Sequence, residues 1–251
     1  MTEKLRPLLR VGLDKTVHSF VGAQRPLSLI IECVTAAALR PAARVRHERI
    51  LASLGPLPQT TNRPVVVLVS GLPGAGKSTF SRALAPLIDA VILESDALRA
   101  LLFAAPTYSS AESAALFRAL HRTAAILLGR GHSVIIDATS LKQKHRRPVE
   151  VLAANAGAEF VHVRLTAPED VILRRLEARR LGLGGADRSQ AGAEVYLRLK
   201  QELEPVRGPY RLVDSSDDAA YHAALHEIAG ACLALRRGVA ETMVGSTGGR
   251  S

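Results

Sequence analysis

The chain has 251 residues, enough for one large α/β domain or for one domain with an appendage. Hydrophobic residues make up 47% and aromatics only 4%, with no Trp, so the core must be built from Leu, Val, Ile and Ala. Lys and Arg number 33 against 23 Asp and Glu, and this net charge of +10 suits a polyanionic partner such as nucleic acid or nucleotide, although a GC-rich coding sequence that favours Arg gives the same surplus.

No apolar run reaches the ~18 residues that a membrane span needs, and Glu32 interrupts the nearest, "LSLIIECVTAAAL". Cys33 and Cys232 lie far apart without metal-ligand spacing and read as small buried hydrophobes of a reducing compartment. The expectation is a soluble cytoplasmic protein without a membrane partner.

Residues 1–62 form a helical basic segment, with nine Lys/Arg against four Asp/Glu and a kink or break expected at Pro41. Its basic face can be solvated, with the apolar side packed on the rest of the chain, or can meet nucleic acid or a lipid surface. "GPLPQTTNRP" reads as a linker and places a boundary near residue 62. Residues 63–238 then alternate strand and helix. "VVVLVS" is a buried strand, "GKSTFSRALAPLI" a helix, "AVILES" a second strand and "DALRALLF" a helix. "SAESAALFRALHRTAAILLGRG" is a long helix, "SVIIDAT" a third strand, and "KQKHRRPVEVLAANAG" a helix broken by Pro148. "EFVHVRL" is a strand, and "PEDVILRRLEARRL" a helix opened by proline and acids. "GLGGADRSQ" is a glycine-rich loop before the helix "AGAEVYLRLKQELEPV", and "YRLVDSS" and "DDAAYHAALHEIAGACLALRR" are the last strand and helix. Residues 239–251 read as a disordered tail. This order predicts an α/β three-layer sandwich around a mostly parallel five-stranded sheet.

The first strand runs into Gly71-x4-Gly76-Lys77-Ser78, the phosphate-loop pattern in its required strand–turn–helix context. Gly71, Pro73, Gly74, Ala75, Gly76, Lys77, Ser78 and Thr79 are the candidate nucleotide-binding residues. Their backbone N–H groups curl around the β-phosphate at the positive end of a helix, Lys77 neutralises the β- and γ-oxygens, and Ser78 ligates Mg²⁺. Asp96 falls at the carboxyl end of the second strand, where a carboxylate can orient an acceptor hydroxyl and take its proton; capping of the next helix by Ser95 or Asp96 is the structural alternative. Arg99, one helical turn on, can hold an acceptor phosphate or the transferring group. Asp137 ends the third strand, with Thr139 behind it, and can hold Mg²⁺ or place the acceptor. The basic "KQKHRR" after it hints at an anionic partner or is a solvated face. Arg175 and Arg179 share one helix face before the glycine-rich loop, as a lid over a triphosphate would require, with Gly182, Gly184 and Gly185 free to hinge.

"GLPGAGKST", "ESDALR", "SVIIDATSL", "APEDVILRRLEARR" and "DRSQAGAEVYLRLKQELEP" together resemble the AAA_33-type P-loop kinases. These are similar to the kinase domain of polynucleotide 5′-kinases and, more distantly, to zeta-toxin, chloramphenicol and gluconate kinases. The resemblance covers residues 64–235 and implies ATP and Mg²⁺ as cofactors, Lys77 and Ser78 on ATP·Mg, Asp96 as general base and Arg99 near the acceptor. It also implies Asp137 and Thr139 on the acceptor side and Arg175 or Arg179 as the lid arginine.

Three readings follow. The first is an ATP-dependent phosphotransferase acting on a hydroxyl, either a polynucleotide 5′-hydroxyl or a small molecule. The second is a P-loop ATPase or switch acting on a nucleic-acid or protein partner, for which no guanine-specifying Asn-Lys-x-Asp motif is found. In the third, the basic first segment grips nucleic acid, although Phe20 alone is available there for stacking.

Overall fold

The computed structural model describes residues 41–181 and 192–238. Helix α1 (Pro41–Ser53) precedes strand β1 (Val65–Ser70), helix α2 (Lys77–Leu84) and strand β2 (Ala90–Glu94). Then come α3 (Ser95–Leu102), α4 (Ser110–Gly129), β3 (Ser133–Asp137), α5 (Gln143–Asn155) and β4 (Glu159–Thr166). The described chain closes with α6 (Glu169–Arg180), α7 (Ala193–Gln201), β5 (Arg211–Asp214) and α8 (Asp218–Arg237).

The five strands lie in the order β2-β3-β1-β4-β5, and every pair is parallel. Alternate residues of the apolar strands point to opposite faces, so each strand feeds two cores. Val66, Leu68, Val134 and Ile136 pack with Leu98 of α3, Leu116 and Leu120 of α4 and Val149 of α5. Val65, Val67, Val69 and Ile135 pack with Phe80 of α2 and Leu225, Ile228 and Cys232 of α8. The result is the three-layer sandwich that the alternating pattern predicts. Burial pushes the Cys232 thiol up to about 12, so it behaves as a core hydrophobe.

Ile50 of α1 is fully buried in the first of these cores, so the apolar side of this part of the basic segment is packed on the sheet domain. Residues 1–40 with Cys33, the glycine-rich loop of 182–191 and the tail 239–251 lie outside the described residues. Among the described residues no helix is long and apolar enough to cross a membrane.

Three boundaries differ from expectation. Helix α5 runs unbroken through Pro148; proline there removes a single ladder bond, to Lys144, and buried Val149 and Ala153 hold the following turn on the core. Helix α2 stops at Leu84 and tightens into a 3₁₀ turn, Ala85–Leu87, because Pro86 has no N–H to continue the α ladder. Helix α7 ends at Gln201 rather than near Val206, since the Glu204 amide donates instead to the Leu141 carbonyl at 3.1 Å.

Candidate active site

The carboxyl ends of β1 and β3 open on the crevice where the chain order reverses, the place at which doubly wound sheets bind ligands. The turn leaving β1 depends on glycine. Gly71 has φ 146°, and a Cβ there would lie 2.5 Å from the Leu165 carbonyl oxygen. Gly76 has φ 83° and opens α2, so Lys77 and Ser78 occupy its first turn, where partial positive charge favours an anion. Lys77 Nζ donates to the Leu72 carbonyl at 3.1 Å, across the mouth of the loop. Pro73, Gly74, Gly76, Lys77 and Ser78 line a small polar hollow of about 20 Å³. Ala75 is buried beneath the loop and Thr79 is exposed beside it.

Parallel pairing places the ends of two strands level, with Glu94 opposite Asp137. Ser78 Oγ donates to Glu94 Oε1 at 3.1 Å, and Arg82 pairs with Glu94 Oε2 at 3.4 Å. Glu94 is the functional-site residue that the sequence reading passed over. Its signal was its position two residues before Asp96 at a strand end, but only the register with β3 brings it to Ser78. Asp137 is 2% exposed, and its Oδ2 is buried without a hydrogen-bond partner. Burial pushes the Asp137 carboxyl up to about 6; Lys77 and the Ser78 hydrogen bond oppose this, and Glu94 and Asp96 add to it.

An orphaned carboxylate oxygen beside a serine hydroxyl fits a divalent cation, which Ser78 and Asp137 would hold. Among the described residues no group of three His, Cys, Asp or Glu is arranged for a metal. Nucleotide oxygens and water would therefore complete the shell, as Mg²⁺ prefers.

The cap of α3 is Glu94, without a side-chain cap bond, so neither Ser95 nor Asp96 serves as the cap that the structural alternative expected. Asp96 instead lies on the wall between two hollows. It lines the phosphate hollow and also a cavity of about 460 Å³, and Pro73, Ser95 and Thr139 line both as well. The larger cavity has three walls: Arg99, Tyr108 and Phe117 from α3, its exit and α4; Ser140, Leu141, Lys142 and His145 after β3; and one stripe of α7. Tyr108 (φ 54°) and Ser140 (φ 41°) both hold left-handed backbone on this wall, a conformation that stores strain of about 1–3 kcal/mol per residue.

The arginines separate by partner. Arg99 is buried, ion-paired through Nη1 with Glu112, donates Nη2 to Ser113 Oγ at 3.3 Å, and lies 4.6 Å from the centre of the Tyr108 ring. Burial raises the Glu112 carboxyl, but the Thr107 amide and hydroxyl and the Arg99 guanidinium bring it down to about 2, so the pair is ionised. Arg175 donates Nη1 to Ser215 Oγ at 2.8 Å and to the Gly74 carbonyl at 3.3 Å, and Nη2 to the Ser215 carbonyl at 2.6 Å. It ties the phosphate loop to the turn after β5. Arg179, one turn later, lines the phosphate hollow itself. Arg174 and Arg180 make exposed pairs with Asp170 and Glu177. Within the "KQKHRR" basic run Lys142 pairs with Glu202 at 2.7 Å, exposed Arg147 pairs with Glu150 at 3.1 Å, Arg146 is buried, and Lys144 is exposed.

The chain is similar to several known proteins. The chain is 34% identical over 184 residues to the uncharacterized protein Rv2004c of Mycobacterium tuberculosis, a match that covers 67% of this chain and 35% of that one. It is 33% identical over 114 residues to the adenylyl-sulfate kinase of Myxococcus xanthus, covering 44% of this chain and 62% of that one. The chain thus spans about a third of the length of the mycobacterial relative. In fold it is similar to Kti12 of Chaetomium thermophilum, solved with ADP-AlF3, with a TM-score of 0.53 at 20% identity, covering 66% of this chain and 98% of that one. The AAA_33 family model, an AAA domain, matches residues 66–206, which run from β1 through the phosphate loop, Asp96 and Asp137 to helices α6 and α7. The chain belongs to the AAA_33 family of AAA domains.

Proposed function

We propose that this protein is an ATP-dependent kinase that transfers the γ-phosphate of ATP to a hydroxyl of a small molecule. The observation that carries this reading is the shared wall: Asp96 and Thr139 border both the phosphate hollow and the 460 Å³ cavity. A donor phosphate and an acceptor hydroxyl can therefore meet at one carboxylate.

In this reading Lys77 leaves the Leu72 carbonyl to neutralise the β- and γ-phosphates, while the loop amides and the α2 terminus hold them. Asp96 orients the acceptor hydroxyl and takes its proton as the phosphoryl group arrives. Ser78 and Asp137 would hold Mg²⁺, which would neutralise charge on the phosphate oxygens. Arg179 covers the transferring group, and Arg175 braces the loop beneath it. Arg99 shapes the acceptor wall, with its charge balanced by Glu112.

A cavity of about 460 Å³ suits a small acceptor better than a polynucleotide 5′ end, and Lys142 and Arg147 of the basic run already hold carboxylate partners within the chain. The match to an adenylyl-sulfate kinase supports the same class of acceptor. A mass-spectrometric transfer assay with ATP, Mg²⁺ and a panel of hydroxylated metabolites and 5′-hydroxyl oligonucleotides tests the proposal. Asp96→Asn is expected to slow transfer by about 10²–10⁴-fold while ATP binding is retained. Steady ATP hydrolysis without any acceptor, unchanged in Asp96→Asn, would favour the ATPase reading instead.

A further inference from the structure

The charged side chains of the acceptor cavity can be paired off one by one. Arg99 is balanced by Glu112, and Lys142 by Glu202. Asp96 and Arg198 line the cavity without an ion pair among the described residues, and the Glu202 carboxyl, one turn from Arg198, is held below its ordinary pKa by Lys142 first and also by Arg198. Asp96 stands on the border with the phosphate hollow; Arg198 does not line that hollow and belongs to the α7 wall.

Helix α7 presents Val195, Arg198, Leu199 and Glu202 to the cavity, the spacing of one helical face. Arg198 makes no hydrogen bond or ion pair among the described residues. Between the two charges the walls are apolar or aromatic, with Leu141, Val195 and Leu199 facing Tyr108 and Phe117. Lys142 and Lys144 add positive charge near His145 on the cavity wall, and Glu204 opposes it. Burial, then Lys144 and Lys142, lower the His145 pKa, outweighing the opposite pull of Glu204.

We infer that the acceptor is a hydroxylated small molecule with an apolar or aromatic body and an anionic group, seated with its hydroxyl at Asp96 and its anion at Arg198. This rests on the kinase reading above and names the substrate class for that site. A guanidinium recognises a carboxylate, sulfonate or phosphate alike through paired N–H donors, so the shared chemistry is a planar or tetrahedral oxyanion. A neutral acceptor would gain nothing from Arg198, which is exposed on the cavity wall. A cationic one would meet it directly.

The test uses the full chain and a matched pair of probes, 6-(hydroxymethyl)naphthalene-2-carboxylate and its carboxamide, whose binding is read by naphthalene fluorescence. The carboxylate is expected to bind at least ten-fold more tightly than the amide. Arg198→Glu, on an exposed side chain, is expected to bring that ratio to one or below while binding of a fluorescent ATP analogue is unchanged. Equal affinities, no binding of either probe, or a preference that survives Arg198→Glu overturns the inference. Adding ATP and Mg²⁺ separates it from the kinase reading: a charge preference with no phosphorylated product removes the kinase reading and leaves the anion seat in place.

Discussion

Asp137 shows at the scale of one residue how the site stores instability for its ligand. Its carboxyl is almost wholly buried, one oxygen has no hydrogen bond, and its pKa stands at about 6 against an ordinary 3.8. The native protein therefore keeps a proton that the unfolded chain releases between about pH 4 and pH 6. Stability falls as pH rises through that window, and the full cost applies above it. A carboxyl raised that far sets an upper limit of about 3 kcal/mol. Asp137→Asn is thus expected to raise the unfolding temperature of the nucleotide-free protein at pH 8, with a gain that shrinks as pH falls toward 4. Thermal unfolding at both pH values checks this, and a variant less stable than the wild type at pH 8 would contradict it. The sequence marked Asp137 as a strand-end acid. Its burial beside Glu94 follows from the pairing of β2 with β3, which no local pattern contains.

At the scale of elements, Arg146 holds together two of the pieces around the 460 Å³ cavity. The sequence offers it as one cation in a basic run. In the structure it is 2% exposed and donates to three backbone carbonyls: Ser140 at 3.2 Å, Leu141 at 2.6 Å and Pro205 at 2.7 Å. It also reaches Gln143 Oε1 at 3.2 Å. It thereby staples the loop after β3, one wall of the cavity, to the segment that leaves α7, the helix that forms another wall. Burial lowers its pKa, with Arg164 adding to that effect and Glu204 and Glu150 opposing it. Arg146→Ala would strip several buried carbonyls of their donor at about 1–3 kcal/mol each. The expected result is a loss of about 3 kcal/mol or more in urea unfolding and, where the variant folds, a raised KM for the acceptor with ATP binding nearly unchanged. A loss below about 0.5 kcal/mol would show that the staple does not hold the walls.

For the whole molecule, the question is where the sheet domain begins. The composition shift near residue 62 marks a basic segment whose apolar side can pack on the rest of the chain, and Ile50 is 0% exposed in the same core as β1 and α4. Ile50→Ala is expected to cost about 2–5 kcal/mol by leaving a cavity in that core. Urea denaturation with a single transition at a lower midpoint would fit one cooperative unit. A variant with unchanged stability would restore an autonomous segment.

Much of the fold was legible because its signals are local. Each strand is a short apolar run, each helix has its own face, and the phosphate loop needs eight consecutive residues with glycine at two left-handed or tightly packed positions. Sequence alone therefore determined the strand–helix alternation, the parallel sandwich and the residues of the phosphate loop. The tertiary structure alone decided which polar groups meet. Arg175 finds Ser215 across 40 residues and Gly74 across 101, and Ser78 finds Glu94 across 16. Arg99 is neutralised by Glu112 while Arg198 is left facing the cavity. Those meetings depend on the order β2-β3-β1-β4-β5 and on the angle at which helices cross the sheet. A charge's partner in space is set by that packing, whereas its neighbours in sequence set only the element it rides on.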